Sequence, residues 1–122
     1  MSNSEQLPEG IQERLARLQQ LQNIVQSLSL QRQRIELELN EAEQALKTLE
    51  GLASDAKVYK SIGAILVEKP RDEVVKELNE SKELLQLRSK ALEKQENKAR
   101  ERLNSLQQAI QKELIQKQDL GY

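Results

Sequence analysis

A repeat of apolar residues, spaced alternately three and four positions apart, runs through the first half of this 122-residue chain. Eleven of the thirteen positions on the repeat are apolar, although only 37% of all residues are hydrophobic. A sustained 3.5-residue repeat is typical of a coiled coil, whereas an amphipathic helix on a globular core would need a wider apolar stripe. The repeat therefore predicts a coiled-coil helix. Its seam positions are Ile11, Arg14, Leu18, Leu21, Val25, Leu28, Arg32, Ile35, Leu39, Ala42, Leu46, Leu49 and Ala53.

Helix-breaking residues divide the rest of the chain. Two long stretches without proline are rich in Leu, Gln, Glu, Lys, Arg and Ala, which are strong helix formers. Glycine and proline concentrate between these stretches, at Gly51, Gly63 and Pro70. We therefore predict a mainly α fold in one domain, residues 1–122. Its parts are an N-terminal coiled-coil helix at about 8–53, a β-hairpin at about 57–69 and a C-terminal coiled-coil helix at about 71–119.

The second helix carries a less regular seam. One row of apolar residues recurs every seven positions, but its companion row is polar in the middle. The first row is Leu78, Leu85, Leu92, Ala99 and Leu106, and the companion row is Val75, Lys82, Ser89, Glu96, Leu103 and Ile110. If the helices fold back on each other about Gly63, residues whose numbers sum to about 125 lie opposite one another. We hypothesise that polar seam residues then form ion pairs that fix the antiparallel register, with the alternative that they reach into water and contribute little. The predicted pairs are Arg14 with Glu113, Lys82 with Glu43, and Arg32 with Glu93 and Glu96.

The segment between the helices favours strands. It concentrates β-branched, aromatic and other apolar residues around a central glycine, which predicts two short strands with a turn at Gly63. Both faces of the second strand are apolar, and an isolated two-stranded hairpin is at best marginally stable in water. We therefore expect hairpins from several chains to join into a shared sheet or barrel. The predicted oligomerisation residues are Val58, Tyr59, Ile62, Gly63, Ile65, Leu66 and Val67.

Composition excludes several classes of function. The chain contains no Cys and no His, so it lacks the commonest metal ligands and catalytic base, and we predict no metal, no cofactor and no catalytic residue. A formal net charge of −1 disfavours nucleic acid as a partner. The longest apolar run is four residues, against the roughly 20 that a membrane span needs, and the N-terminus does not resemble a secretory signal. We expect a cytoplasmic protein that is not an enzyme.

The order of these elements resembles the prefoldin β-type subunit, with the archaeal proteins as the nearest likeness. The resemblance covers the chain from about Ile11 to Ile115. It depends most on the hairpin sequence VYKSIGAILVE and on the helix start at Pro70 to Val74, set between helices of matched length. The single hairpin indicates the β type, because the α type of that family carries two.

The resemblance implies a hexamer of two α-type and four β-type subunits. Their hairpins would build a double β-barrel platform, from which antiparallel coiled coils project. It further implies an ATP-independent holdase that captures unfolded polypeptides at the coiled-coil tips and delivers them to a group II chaperonin. Carried over by position, the substrate-binding candidates are Leu7, Ile11, Leu15, Leu18, Leu106, Ile110, Leu114, Ile115 and Leu120.

The residues themselves leave two alternatives open. The seam positions among these candidates, Ile11, Leu18, Leu106 and Ile110, are as compatible with completing the coiled coil as with binding substrate. A structural coiled-coil tether or spacer that oligomerises through its hairpin is the alternative function. Two features favour the chaperone interpretation. The predicted helices are of nearly equal length and bring both termini to one end, and the hairpin is more apolar than a connecting loop requires.

Overall fold

The computed structural model describes the backbone of residues 8–119 and the side chains of residues 8–116. These residues form two long helices joined by an antiparallel two-stranded hairpin, which confirms the predicted fold class. In chain order the elements are α1 (Glu9–Glu50), β1 (Lys57–Ile62), β2 (Ile65–Pro70) and α2 (Arg71–Asp119).

The helix boundaries follow from local sequence. Helix α1 ends at Glu50, three residues before Ala53, where the heptad seam ends, because Gly51 begins a turn in which the Leu52 N–H donates to the Leu49 carbonyl at 3.1 Å. Helix α2 starts directly after Pro70, and its first turn carries Asp72 and Glu73. Negative charge at this end is stabilised by the helix dipole.

The chain comprises two compact units. Of the described residues, the first contains 8–31 and 92–119, and the second contains 32–91. In each unit, part of α1 lies beside part of α2. All buried residues of the described chain occupy predicted seam positions, so the period of the apolar pattern located the packed interior correctly. They are Ile11, Leu21, Val25, Glu96, Ala99 and Ile110 in the first unit, and Ala42 and Leu49 in the second.

Ion pairs between the helices occur where the antiparallel alignment predicts them. In the first unit, the Arg14 guanidinium pairs with the Glu113 carboxylate, and in the second, Lys82 Nζ lies 3.7 Å from Glu43 Oε1. Arg32 forms an ion pair within α1, with its Nη1 2.9 Å from Oε1 of Glu36. The alignment of each helix pair is therefore as predicted, while the role of these pairs in fixing it remains a hypothesis.

The hairpin closes through a two-residue turn. Ile62 pairs with Ile65, which leaves Gly63 and Ala64 as the central residues of the turn. Gly63 has φ +57°, in the left-handed region, whereas Ala64 has a negative φ. A glycine with positive φ at the first central position is the pattern of a type II′ turn, whose twist matches that of the flanking strands.

Candidate assembly hairpin and helix ends

The outer face of the hairpin exposes large apolar side chains. Tyr59 of β1 is 67% exposed and Leu66 of β2 is 71% exposed. Ile62 and Ile65, which flank the turn, are exposed as well. Both strands of this two-stranded sheet are edge strands with unpaired backbone groups, and exposed apolar edges are templates for pairing with another chain. The described chain therefore leaves the outer face of its hairpin uncovered, as its sequence predicts.

The inner face of the hairpin is half-buried against α2. Its half-buried part combines two apolar and two basic residues, with Val58 paired to Lys69 and Lys60 paired to Val67, whereas Ile62 and Ile65 of the same face, beside the turn, are exposed. Both lysines reach the same carboxylate on α2. Lys60 Nζ lies 2.8 Å from Glu77 Oε2, and Lys69 Nζ lies 2.8 Å from Glu77 Oε1. Glu77 thus connects both strands to the helix.

These contacts shift the pKa values of Glu77 and Lys69. Hydrogen bonds from Lys60 and Lys69 favour the ionised carboxylate and lower the pKa of Glu77 to about 2. The hydrogen bond to Glu77 in turn raises the pKa of Lys69 above its ordinary value. Glu77 is therefore ionised and Lys69 protonated at neutral pH.

The base of the hairpin is held by Arg71, the first residue of α2. Its backbone N–H donates to the Ala56 carbonyl at 2.9 Å, across the start of β1. Its side-chain Nε donates to the Leu49 carbonyl at 2.9 Å, in the last turn of α1. The carbonyls of a last helical turn lack partners within the regular helix; that of Leu49 accepts both from the Leu52 N–H and from Arg71, so Arg71 ties the start of α2 to the end of α1 and to the residue before β1.

Neither the cluster of Lys60, Lys69 and Glu77 nor the contacts of Arg71 were predicted from the sequence. Lys60 and Lys69 alternate with Val58 and Val67 along the strands, and that parity was the available signal, because it places all four on one face. The partner on α2 had no comparable signal, since α2 carries many charged residues with similar surroundings in the sequence.

The predicted substrate-binding residues of the first unit fall into three groups. Ile11 and Ile110 are buried, and Leu18 and Leu106 are half-buried. Leu15, Leu114 and Ile115 are exposed, the last two by 38% and 57%. Leu7 and Leu120 lie outside the described residues. Because Arg14 pairs with Glu113, the start of α1 and the end of α2, which carry the exposed residues, lie side by side.

A shallow groove in the first unit lies next to these exposed residues. On α2 it is lined by small and amide side chains together with Lys112 and Ile115, and a neighbouring groove continues it towards Arg17 and Leu21 of α1. Small side chains at Ser105 and Ala109 form the part that the two grooves share. The sequence analysis did not predict this groove.

Neither helix of the described chain is apolar enough over a sufficient length to cross a membrane. Within the same residues, no cluster of three or more acidic, histidine or cysteine side chains is arranged to hold a metal ion.

Two long heptad helices that flank an apolar hairpin with an exposed outer face define a class of coiled-coil subunits. The family model described as "Prefoldin subunit" matches residues 12–117 of this chain. The chain belongs to the prefoldin family, a family of chaperones, and it is of the beta type.

Relatives and solved structures agree with this assignment. A prefoldin subunit beta of Pyrobaculum islandicum is 43% identical over 109 residues, which cover 89% of this chain and 87% of the relative. One from Archaeoglobus fulgidus is 42% identical over 87% of this chain and 91% of its own length. The crystal structure of the prefoldin beta subunit from Thermococcus strain KS-1 has a TM-score of 0.80 and 40% identity, and covers 90% of this chain and 96% of that one. The beta2 subunit from the same strain has a TM-score of 0.68 and 27% identity, over 75% of this chain and 97% of that one.

Proposed function

We propose that this chain is a subunit of a cytoplasmic, ATP-independent holdase, assembled from two α-type and four β-type subunits, which delivers non-native polypeptides to a group II chaperonin. The observation that carries the proposal is the exposure of Leu15, Leu114 and Ile115 where the start of α1 and the end of α2 lie together. Exposed apolar residues in one place are a surface for non-directional binding, which requires no matched geometry.

The buried candidates have a different role in this proposal. Ile11 and Ile110 contribute to packing between the helices, because their side chains are withdrawn from solvent. Substrate contact then falls to Leu15, Leu114 and Ile115. Covering each Leu or Ile contributes on the order of 1–2 kcal/mol. A single subunit therefore binds weakly, and several subunits that hold one client together provide avidity.

An aggregation assay tests the capture step. A denatured test protein is diluted into buffer with this chain and an α-type prefoldin subunit, without ATP, and light scattering is followed. The complex should suppress scattering. The double variant Leu114→Gln and Ile115→Gln should protect less well, because it replaces exposed apolar surface by amides without changing the buried seam.

Leu84 and Leu87 offer a matched control. They lie on α2 in the second unit and are 51% and 66% exposed. Changing both to Gln removes a similar apolar area at another place, so protection should be retained. If the variant at positions 114 and 115 protects as well as the wild type, capture at the helix ends is wrong. If the assembled wild-type complex gives no protection at all, a structural tether is the better description.

A further inference from the structure

The hairpin can present its outer face to other subunits only if its inner face is held in a fixed orientation against α2. The two-stranded sheet has little packing of its own, since four of its large apolar side chains are exposed. Val58 and Val67 provide a small half-buried contact on the inner face. The remaining described contacts between the strands and α2 converge on Glu77 and, more weakly, Glu73.

The geometry of the cluster explains why Glu77 matters more than an ordinary surface carboxylate. Each of its oxygens accepts one hydrogen bond, from Lys60 of β1 and from Lys69 of β2, both at 2.8 Å. The side chain is only about one-third exposed (32%). Charge-assisted hydrogen bonds of this kind are short and directional, and two of them from different strands fix the position and the rotation of the hairpin.

Removing the carboxylate would also leave two positive charges on the inner face without a negative charge between them. Lys60 and Lys69 are diagonal neighbours in the register of the hairpin, so their ammonium groups repel when no anion lies between them. Glu73 cannot substitute, because its Oε1 lies 3.8 Å from Lys69 and the side chain is about half exposed. The hairpin would then separate from α2 and expose Val58 and Val67 as well.

We infer that Glu77 is the positioning residue for subunit assembly: by binding Lys60 and Lys69 together, it orients the hairpin so that Tyr59 and Leu66 face the partner subunits. The inference rests on the proposed function, in which the hairpin is the assembling element. It assigns to α2 a residue that controls assembly without itself lying on the assembling face.

The orientation of the hairpin can be measured directly, because the chain contains no Cys and introduced cysteines are unique. Ser61 of β1 and Ser81 of α2 are exposed and lie in one unit. Spin labels at Ser61→Cys and Ser81→Cys should give a narrow distance distribution in the otherwise wild-type chain. Adding Glu77→Gln should broaden it, while far-ultraviolet circular dichroism shows unchanged helix content. Glu73→Gln, a control one turn away, should leave it narrow.

Assembly is measured on unlabelled chains mixed with an α-type prefoldin subunit, by native mass spectrometry over a dilution series. We expect Glu77→Gln to raise the midpoint concentration of assembly several-fold and Glu73→Gln to leave it unchanged. Lys60→Met, which keeps the Lys69 contact, should have an intermediate effect and provides a second test if Glu77→Gln unfolds. An unchanged distance distribution, or a broadened one with normal assembly, overturns the inference. If the wild type itself does not assemble, the proposed function fails instead.

Discussion

The Nε of Arg71 donates a hydrogen bond to the carbonyl oxygen of Leu49 at 2.9 Å, so the first residue of α2 is bonded to the last turn of α1. The same residue donates its backbone N–H to Ala56, at the start of the hairpin. The end of α1, the start of α2 and the residue before β1 thus meet at Arg71, whose side chain is 20% exposed.

Replacing Arg71 by Met should therefore lower the free energy of unfolding by about 1.5–3 kcal/mol, the usual range for a hydrogen bond to a charged group. Urea denaturation followed by circular dichroism measures the change. Arg88→Met, at an exposed arginine of the same helix, is the control and should change stability by less than about 0.5 kcal/mol. Equal stability of the two variants would show that the Arg71 contact contributes nothing.

The Glu77 cluster predicts a specific pH dependence. The pKa of Glu77 is lowered from 4.5 to about 2, so the folded state favours the ionised carboxylate. The resulting stabilisation is complete above about pH 5. It should be lost as the pH falls from about 4.5 towards 2. The difference in unfolding free energy between wild type and Glu77→Gln, measured by urea denaturation at several pH values, should shrink over that range. A difference that stays constant from pH 7 to pH 2 would contradict the assignment.

The ion pair between Arg14 and Glu113 is expected to contribute little, because the two side chains are 48% and 31% exposed. A double-mutant cycle with Arg14→Met and Glu113→Gln should give a coupling of about 0.2–1 kcal/mol that decreases with added salt. A coupling well above this range, or the appearance of other oligomers in Arg14→Met, would instead support a role in fixing the register.

Two aliphatic residues on α2 differ in burial and should therefore differ in their contribution to stability. Ile110 is 5% exposed, so Ile110→Ala should destabilise the chain by about 2–4 kcal/mol, whereas Leu87→Ala should cost less than about 0.5 kcal/mol. Thermal or urea unfolding measures both. Similar losses at the two positions would mean that Leu87 is covered in the state that unfolds.

The sequence predicted those features that depend on periodicity. The heptad seam located Ile11, Leu21 and Val25 in the packed interior, because a 3.5-residue repeat faces one partner helix regardless of the other side chains. The glycine at position 63 predicted the turn, because few other residues adopt a positive φ at low cost.

Contacts between elements were harder to predict. The bond from Arg71 to Leu49 and the convergence of two lysines on Glu77 depend on the angle between hairpin and helix, which no local pattern encodes. The heptad seam did distinguish Ile110, a seam position that is buried, from Ile115, which lies off the seam and is exposed, but it left open whether the seam candidates contact clients. The residues proposed to bind clients therefore follow from exposure rather than from a motif.

We propose above that this chain assembles with other subunits through the exposed apolar face of its hairpin. The most direct test is the mass of the particle that it forms with an α-type prefoldin subunit, determined by native mass spectrometry for the wild type and for the double variant Tyr59→Ser and Leu66→Ser. We predict a complex of several subunits for the wild type, and free chains with unchanged helix content for the variant. A variant that assembles as fully as the wild type, or a wild-type chain that remains a monomer in the mixture, would contradict the claim.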